Sequence, residues 1–443
     1  MKKILVFIIL ALTLTSCARL KFREIDVKPT EQEQEVKQKE DVIEIGDWEE
    51  EAYDGDRKAD KVKVAILLPL SGKAEKIGNI MLQSAQLALF EGGKDNMRLK
   101  SYDTKGTTFG ALNAINQAIA DDVDIVLGPL FSSSTEAIMD KAYQNNITVI
   151  SFSNNQMLLN NKNIYLMGFM PEQEIERIVS YAMNKGKYAF SALVPNDSYG
   201  ALISKILKET VERKDGKIVK IEYYSKRERS LDKKVNNLIN SFAISDRVYK
   251  EYEEAKELSR LNKIENPNEE KDKDSVEFTY EKEDKIFADA ILLPDGGRKL
   301  NEILDLMDAN IVEGRTYQLL GTSKWENESN YKNENLYGSW FASPNPDEYS
   351  DFEERFYKAY GSFPIRVASL SYDAVNAVKK TYSKSKVDII DKEYLTNQKG
   401  FKGIDGRFRF LPNGIVERRF SVLEIRDGYA SVIDSSLDGF LDY

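Results

Sequence analysis

The sequence predicts an α/β protein in which a mostly parallel sheet carries helices on both faces, repeated in two similar lobes around a cleft. Three observations predict it. From Lys61 onward, short apolar runs of strand length alternate with amphipathic runs of helix length. The series pauses after "NIYLMGFMPEQ" and then starts again. The chain has 443 residues, too many for one small core, so two domains or lobes are the default.

The first series opens with the buried strand "KVKVAILLPL", then "SG", then a helix bearing Ile77, Ile80, Met81, Ala85 and Ala88 near helical spacing. Next come a strand "RLKSYDT", a helix "FGALNAINQAIA", a strand "VDIVLG", a helix "STEAIMDKAY" and a strand "NITVISFS". The second series holds a helix "EIERIVSYAMNKG", a strand "YAFSALVP", a helix "GALISKILKETVERKDG" and a strand "KIVKIEYY". A charged stretch, Asp246 to Lys285, precedes a strand "FADAILLPD" and a helix "RKLNEILDLM". Tyr249, Tyr252 and Leu258 give that stretch weak helical periodicity, and it reads as a solvated helix plus a long loop rather than a docking insert.

The first 61 residues have a different character. "MKKILVFIILALTLTSC" has a basic start, an apolar run from Ile4 to Leu14 and a small polar end, the layout of a secretory signal. The run is too short to span a membrane comfortably. "LTSC" (Leu14 to Cys17) resembles a bacterial lipobox. That resemblance implies a signal peptide over residues 1–16 and lipid on Cys17, anchoring a periplasm-facing chain to the cell envelope. Ala18, in place of an Asp, suggests outer-membrane sorting. Residues 17–61 read as an acidic flexible tether, too poor in apolar residues to order itself. Glu24 to Asp60 holds 15 acidic and 5 basic residues, which accounts for the whole net charge of -10. That charge argues against nucleic acid as a partner.

The residue inventory excludes several chemistries. There is no histidine, so Ser-His-Asp and Cys-His catalysis and imidazole metal sites are absent. Cys17 is the only cysteine, so no intramolecular disulfide forms. No glycine-rich phosphate loop is present, and no cofactor is expected. Carboxylates are abundant, but no pair is placed by motif; a carboxylate-only hydrolase stays open, and a non-enzymatic protein is the expectation.

In open α/β sheets, ligands bind beyond the carboxyl ends of strands. The loops there read Ser71-Gly72, Asp103-Thr104, Phe131 to Thr135, Ser153 to Asn155, Tyr199 and Asp295, with Ser323-Lys324 further on. Ser132, Ser133 and Ser134 precede a helix, and their hydroxyls with its free amides suit a carboxylate. The plainer role for Ser132 or Ser133 is a helix cap, and for Asn154-Asn155 a turn.

The markers "LLPLSG", "YDT", "LGPLFSSST", "DSYG" and "GRFRFLPNGIVERRFSVLEI" together resemble the type I periplasmic-binding fold of branched-chain amino-acid receptors. "VAILLPLSG", "GFMPEQE" and "ADAILLPDGG" look closest to a lipoprotein branch that includes the C-terminal domain of penicillin-binding-protein activators. The resemblance implies one domain over 62–443. Lobe one would hold 62–168 and 325–421, and lobe two 169–324 and 422–443, with 246–285 as an insertion. It implies that Ser132 to Ser134 grip a ligand carboxylate, that Ser153, Asn154 and Asn155 form a second contact segment, and that Tyr199 covers the ligand; Ser71 belongs to the same rim. Receptors of this kind carry an acid where Ser323 stands, so Asp295 is the candidate replacement. Implied partners are a peptidoglycan synthase of the penicillin-binding type or an ABC permease, with a small amino-acid-like ligand.

Overall fold

The computed structural model describes residues 62–435 apart from 92–96, 160–162, 226, 266–283, 311–313 and 385–391. The expected signal segment, Cys17 and the whole of the tether lie outside the described residues.

The first lobe contains β1 (Val62–Leu68), α1 (Glu75–Glu91), β2 (Met97–Asp103), α2 (Thr108–Ala120), β3 (Ile125–Leu127), α3 (Ser132–Gln144), β4 (Thr148–Ser151) and β5 (Ile164–Leu166). Its five strands lie in the order β2-β1-β3-β4-β5 and every pair is parallel. Val64 to Leu68 are all buried, as a parallel strand covered on both faces requires. Thr107 caps α2, its hydroxyl accepting from the Gly110 amide at 3.0 Å.

The second lobe follows with α4 (Pro171–Asn184), β6 (Ala189–Pro195), α5 (Ser198–Arg213), β7 (Lys217–Tyr224), α6 (Asp232–Asn240), β8 (Phe242–Ile244), α7 (Asp246–Glu265), β9 (Lys285–Phe287), β10 (Ala290–Leu292), α8 (Gly297–Ala309), β11 (Gln318–Gly321) and β12 (Trp340–Ser343). Strands β6, β7, β10, β11 and β12 are parallel. The alternation of a strand divides their side chains between two cores. Phe190, Ala192 and Val194 of β6 pack with Ile175 of α4 and Ile203 of α5. Leu193 packs on the opposite face with Val235 of α6 and Leu300 of α8.

The chain then returns to the first lobe. Helices α9 (Pro346–Tyr360) and α10 (Ala368–Lys384) place Phe352, Phe356 and Val375 in the first lobe's core. Two hydroxyls lock α10 to α1: Ser84 donates to the Ala368 carbonyl at 2.6 Å and Ser371 to the Met81 carbonyl at 2.7 Å. A small antiparallel sheet of β13 (Phe401–Gly403), β14 (Gly406–Phe410) and β15 (Val416–Arg418) follows. The antiparallel strands β16 (Ser421–Arg426) and β17 (Tyr429–Asp434) then complete the second sheet, in the order β17-β16-β12-β11-β10-β6-β7.

The passages between lobes therefore fall at residues 167–170, 344–345 and 419–420. The second comes some twenty residues later than the expected boundary between 324 and 325, and residues 325–343 belong to lobe two. The reason is packing. Trp325 is fully buried in the second lobe, with its ring 6.3 Å from Phe341, and this folds the polar stretch after it back so that β12 pairs with β11. The charged stretch from Asp246 begins as α7 and rises from the antiparallel ribbon β8-β9; residues 266–283 of it lie outside the described part.

Candidate functional site

Two polar clusters form at strand carboxyl ends, one in each lobe. The link between the lobes sets their placement. Chain leaving the carboxyl end of β5 enters α4 after four residues, and α4 starts at the carboxyl end of the second sheet, where its Glu174 meets Ser323. Gly168 permits the tight passage: a Cβ there would stand 2.8 Å from the Ser153 carbonyl carbon. Asn154 steadies the link by donating its amide to the Phe169 carbonyl at 3.0 Å.

In lobe one, α3 begins after Phe131, and no side chain caps it. The plain capping role for Ser132 or Ser133 is therefore set aside. Ser132 instead pairs with Ser153, hydroxyl to hydroxyl, at 2.8 Å. Ser153 also accepts the Asn155 amide at 3.1 Å, and the Asn155 side chain accepts the Met157 amide at 3.1 Å, so Asn155 is a turn residue. Ser133 is exposed, whereas Ser134 is fully buried with an unpartnered hydroxyl. A second hydroxyl pair, Thr135 and Ser151 at 2.7 Å, ties α3 to the end of β4. Ser71 stands apart from this group. It donates to Asp103 at 2.6 Å, and despite burial that hydroxyl and the Lys105 and Leu70 amides hold the Asp103 carboxyl below its usual range.

In lobe two the cluster is more strongly charged. Glu174, in the first turn of α4, is almost wholly buried and accepts from Ser323 twice, from its hydroxyl at 2.9 Å and its amide at 3.2 Å. Burial pushes the Glu174 carboxyl up to about 7, against the opposing pull of the Ser323 donors and the Lys324 charge. The Lys324 ammonium lies 3.6 Å over the Tyr199 ring and 3.9 Å from Asp295. Tyr199 donates to the Pro294 carbonyl at 3.2 Å; burial and then the Glu174 charge raise its phenol well above the ordinary value. Asp295 accepts from the Tyr224 hydroxyl and from the Gly296 amide at 3.0 Å.

The structure thus brings Ser132, Ser153 and Asn155 together in one cluster, and Tyr199, Asp295 and Ser323 in the other. Sequence reasoning missed Glu174. It stands inside "GFMPEQE", where acids in a first helical turn are ordinary and nothing local marks one as buried. Asp295 does not simply replace the acid missing at position 323, because Glu174 reaches that position from α4. Among the described residues, no group of three or more His, Cys, Asp or Glu side chains is arranged to hold a metal.

Comparison with known proteins bears on this geometry. A branched chain amino acid ABC transporter periplasmic ligand-binding protein from Burkholderia xenovorans superposes with a TM-score of 0.63 at 16% identity, covering 85% of this chain and 95% of that one. This is a two-lobed type I periplasmic-binding fold. Residues 61–241 match the family model described as periplasmic binding protein. An uncharacterized protein of Rickettsia prowazekii is 29% identical over 181 residues, 41% of this chain and 48% of that relative. The penicillin-binding protein activator LpoA of Glaesserella parasuis is 22% identical over 162 residues, 37% of this chain and 27% of that relative. The chain thus spans about half the length of one curated relative and about a quarter of the other. Both polar clusters stand at strand carboxyl ends, where ligands bind in open α/β sheets.

Proposed function

We propose that this chain is a non-enzymatic binding protein of the bacterial cell envelope, lipid-anchored at Cys17, that activates or senses a penicillin-binding protein in peptidoglycan synthesis. The observation that carries the reading is the self-paired wall of lobe two. Both oxygens of Glu174 are taken by Ser323, while Lys324 turns to Tyr199 and Asp295. The ammonium of a free amino acid entering the cleft would have to break one of these pairings to find a carboxylate, and an unpaired buried charge is costly. The likeness to a relative named as a penicillin-binding protein activator supports the same direction. Pull-down of a bifunctional penicillin-binding protein by the full chain tests it. No capture, together with unchanged cell-wall incorporation on deletion, would dispose of the idea.

A second reading rests on lobe one. The Ser132–Ser153 hydroxyl pair beside an uncapped helix suits the carboxylate of a small ligand, as in a solute-binding lipoprotein of an ABC-type uptake system. It predicts a saturable thermal shift, since a ligand adds RT ln(1 + [L]/Kd) to stability. A flat response across amino acids and short peptides would count against it.

A further inference from the structure

At the other end of β11 from the Ser323 cluster, the second lobe holds a cavity of about 330 Å³, at the small end of the range for small-ligand sites. It sits at the amino end of β11, beside Gln318, whereas Ser323 and Lys324 follow that strand's other end. Leu304 and Met307, from the last turns of α8, stand beneath it but are almost wholly buried in the lobe's core. Tyr317 and Tyr337 also line it, with Asn335 and Asp308.

This edge is held in place before any ligand arrives. The Tyr337 hydroxyl donates to Asp427 at 2.9 Å. The Gly338 carbonyl accepts the Gln318 side-chain amide at 2.7 Å, and the Gly338 amide donates to the Ile425 carbonyl at 2.9 Å. Tyr337 is therefore fixed although it is 39% exposed.

The lining decides the ligand chemistry. Among the described residues no cation lines the cavity and Asp308 is the one charged group, so a carboxylate or phosphate would be repelled. Tyr317 and Tyr337 offer flat surfaces to C–H faces. The Asn335 side-chain amide and the Asp308 carboxylate at the edge offer donors and acceptors to hydroxyls. A ring with apolar faces and a hydroxylated rim matches both halves. We propose that this cavity is a second binding site, for a neutral pyranose sugar. N-acetylglucosamine is the probe of choice, because it is uncharged and joins a ring for the tyrosines to hydroxyl and acetamido groups for Asn335 and Asp308. The inference does not rest on the cleft or on the peptidoglycan reading.

Saturation-transfer NMR and titration calorimetry on the full chain test it. N-acetylglucosamine should bind saturably, with a Kd on the order of 1 mM. Asn335→Ala and Tyr337→Ala, both at exposed residues, should each weaken it at least tenfold while the melting temperature stays near that of the parent. Lys324→Ala, in the cleft, should leave it unchanged. The proposal is overturned if the sugar shows no saturable binding, if Lys324→Ala abolishes binding while the cavity variants keep it, or if choline binds more tightly than the sugar. The last result would make the tyrosines a cation site.

Discussion

Glu174 and Ser323, 149 residues apart, form a two-point contact in which one carboxylate accepts both the hydroxyl and the amide of one serine. An acid from α4 thus reaches the loop that follows β11 inside the second lobe. Both carboxylate oxygens face protein donors. The carboxylate also stores a proton-linked cost, because the group is almost fully buried.

That cost gives a pH dependence with a definite sign. Glu174 rises from 4.5 to about 7 in the fold, and Asp373, also buried, from 3.8 to about 7. The native state therefore holds these protons more tightly than the unfolded chain. Their contribution is fully present below about pH 4 and is lost as pH climbs to about 7, by up to about 3 kcal/mol for Glu174. Glu174→Gln keeps an acceptor for Ser323 and removes the titration. Its melting temperature should exceed the parent's at pH 8, and the advantage should vanish by pH 5. Two parallel melting curves across that range would refute the assignment.

Arg366 ties the lobes by charge. Its guanidinium lies 3.2 Å from Glu326, beside the second sheet, and 2.9 Å from Asp405 in the first lobe. Ser343 donates to Glu326 at 2.8 Å, and Ser369 to Asp405, so each carboxylate is held by its own lobe. Asp405 is fully buried. Arg366→Met should destabilise the protein by about 3–5 kcal/mol in urea unfolding, because it strands buried negative charge. It should also speed amide exchange around residues 321–326, where the wall of the cleft meets the passage. A loss below about 1 kcal/mol would mean that the chain of charges is only a surface pairing.

Lys324 tests whether the wall is one unit. Its ammonium joins the Tyr199 ring to Asp295, and Asp295 in turn holds Tyr224. The lysine side chain is 42% exposed, so screening leaves the ion pair itself worth little. Lys324→Met should cost less than about 1 kcal/mol. It should nevertheless alter Tyr199 fluorescence quenching and loosen the Ser323 loop in amide exchange. A large stability loss would assign Lys324 to the fold rather than to the cleft.

The sequence made the βα alternation legible because its periodicity is local, and it pointed to the serines because Ser132 and Ser153 follow strands that are neighbours in both sequence and sheet. Glu174 stayed hidden because its hydrogen-bond partner is a serine 149 residues further along the chain. The second passage was misplaced because Glu326 to Ser339 is polar, and only the burial of Trp325 and Phe341 shows that the chain folds back into a four-residue strand. Buried pairs such as Asp373 with Arg418, 3.4 Å apart, were illegible for the same reason: each residue alone reads as surface charge.

Gly168 offers the most direct test of how the passage shapes the lobe-one cluster. A methyl there would meet the carbonyl carbon and oxygen of Ser153 at 2.8 Å and the Asn154 amide nitrogen at 2.9 Å. All three are backbone atoms, which cannot rotate away as a side-chain tip can. Gly168→Ala should therefore push Ser153 off Ser132, breaking their 2.8 Å pair, and cost about 1–3 kcal/mol through overpacking. Ser132→Ala removes the same hydroxyl bond without moving backbone and should cost only about 1 kcal/mol. If the two variants unfold at the same urea concentration, the close approach at Gly168 is relieved elsewhere and the passage is softer than its geometry implies.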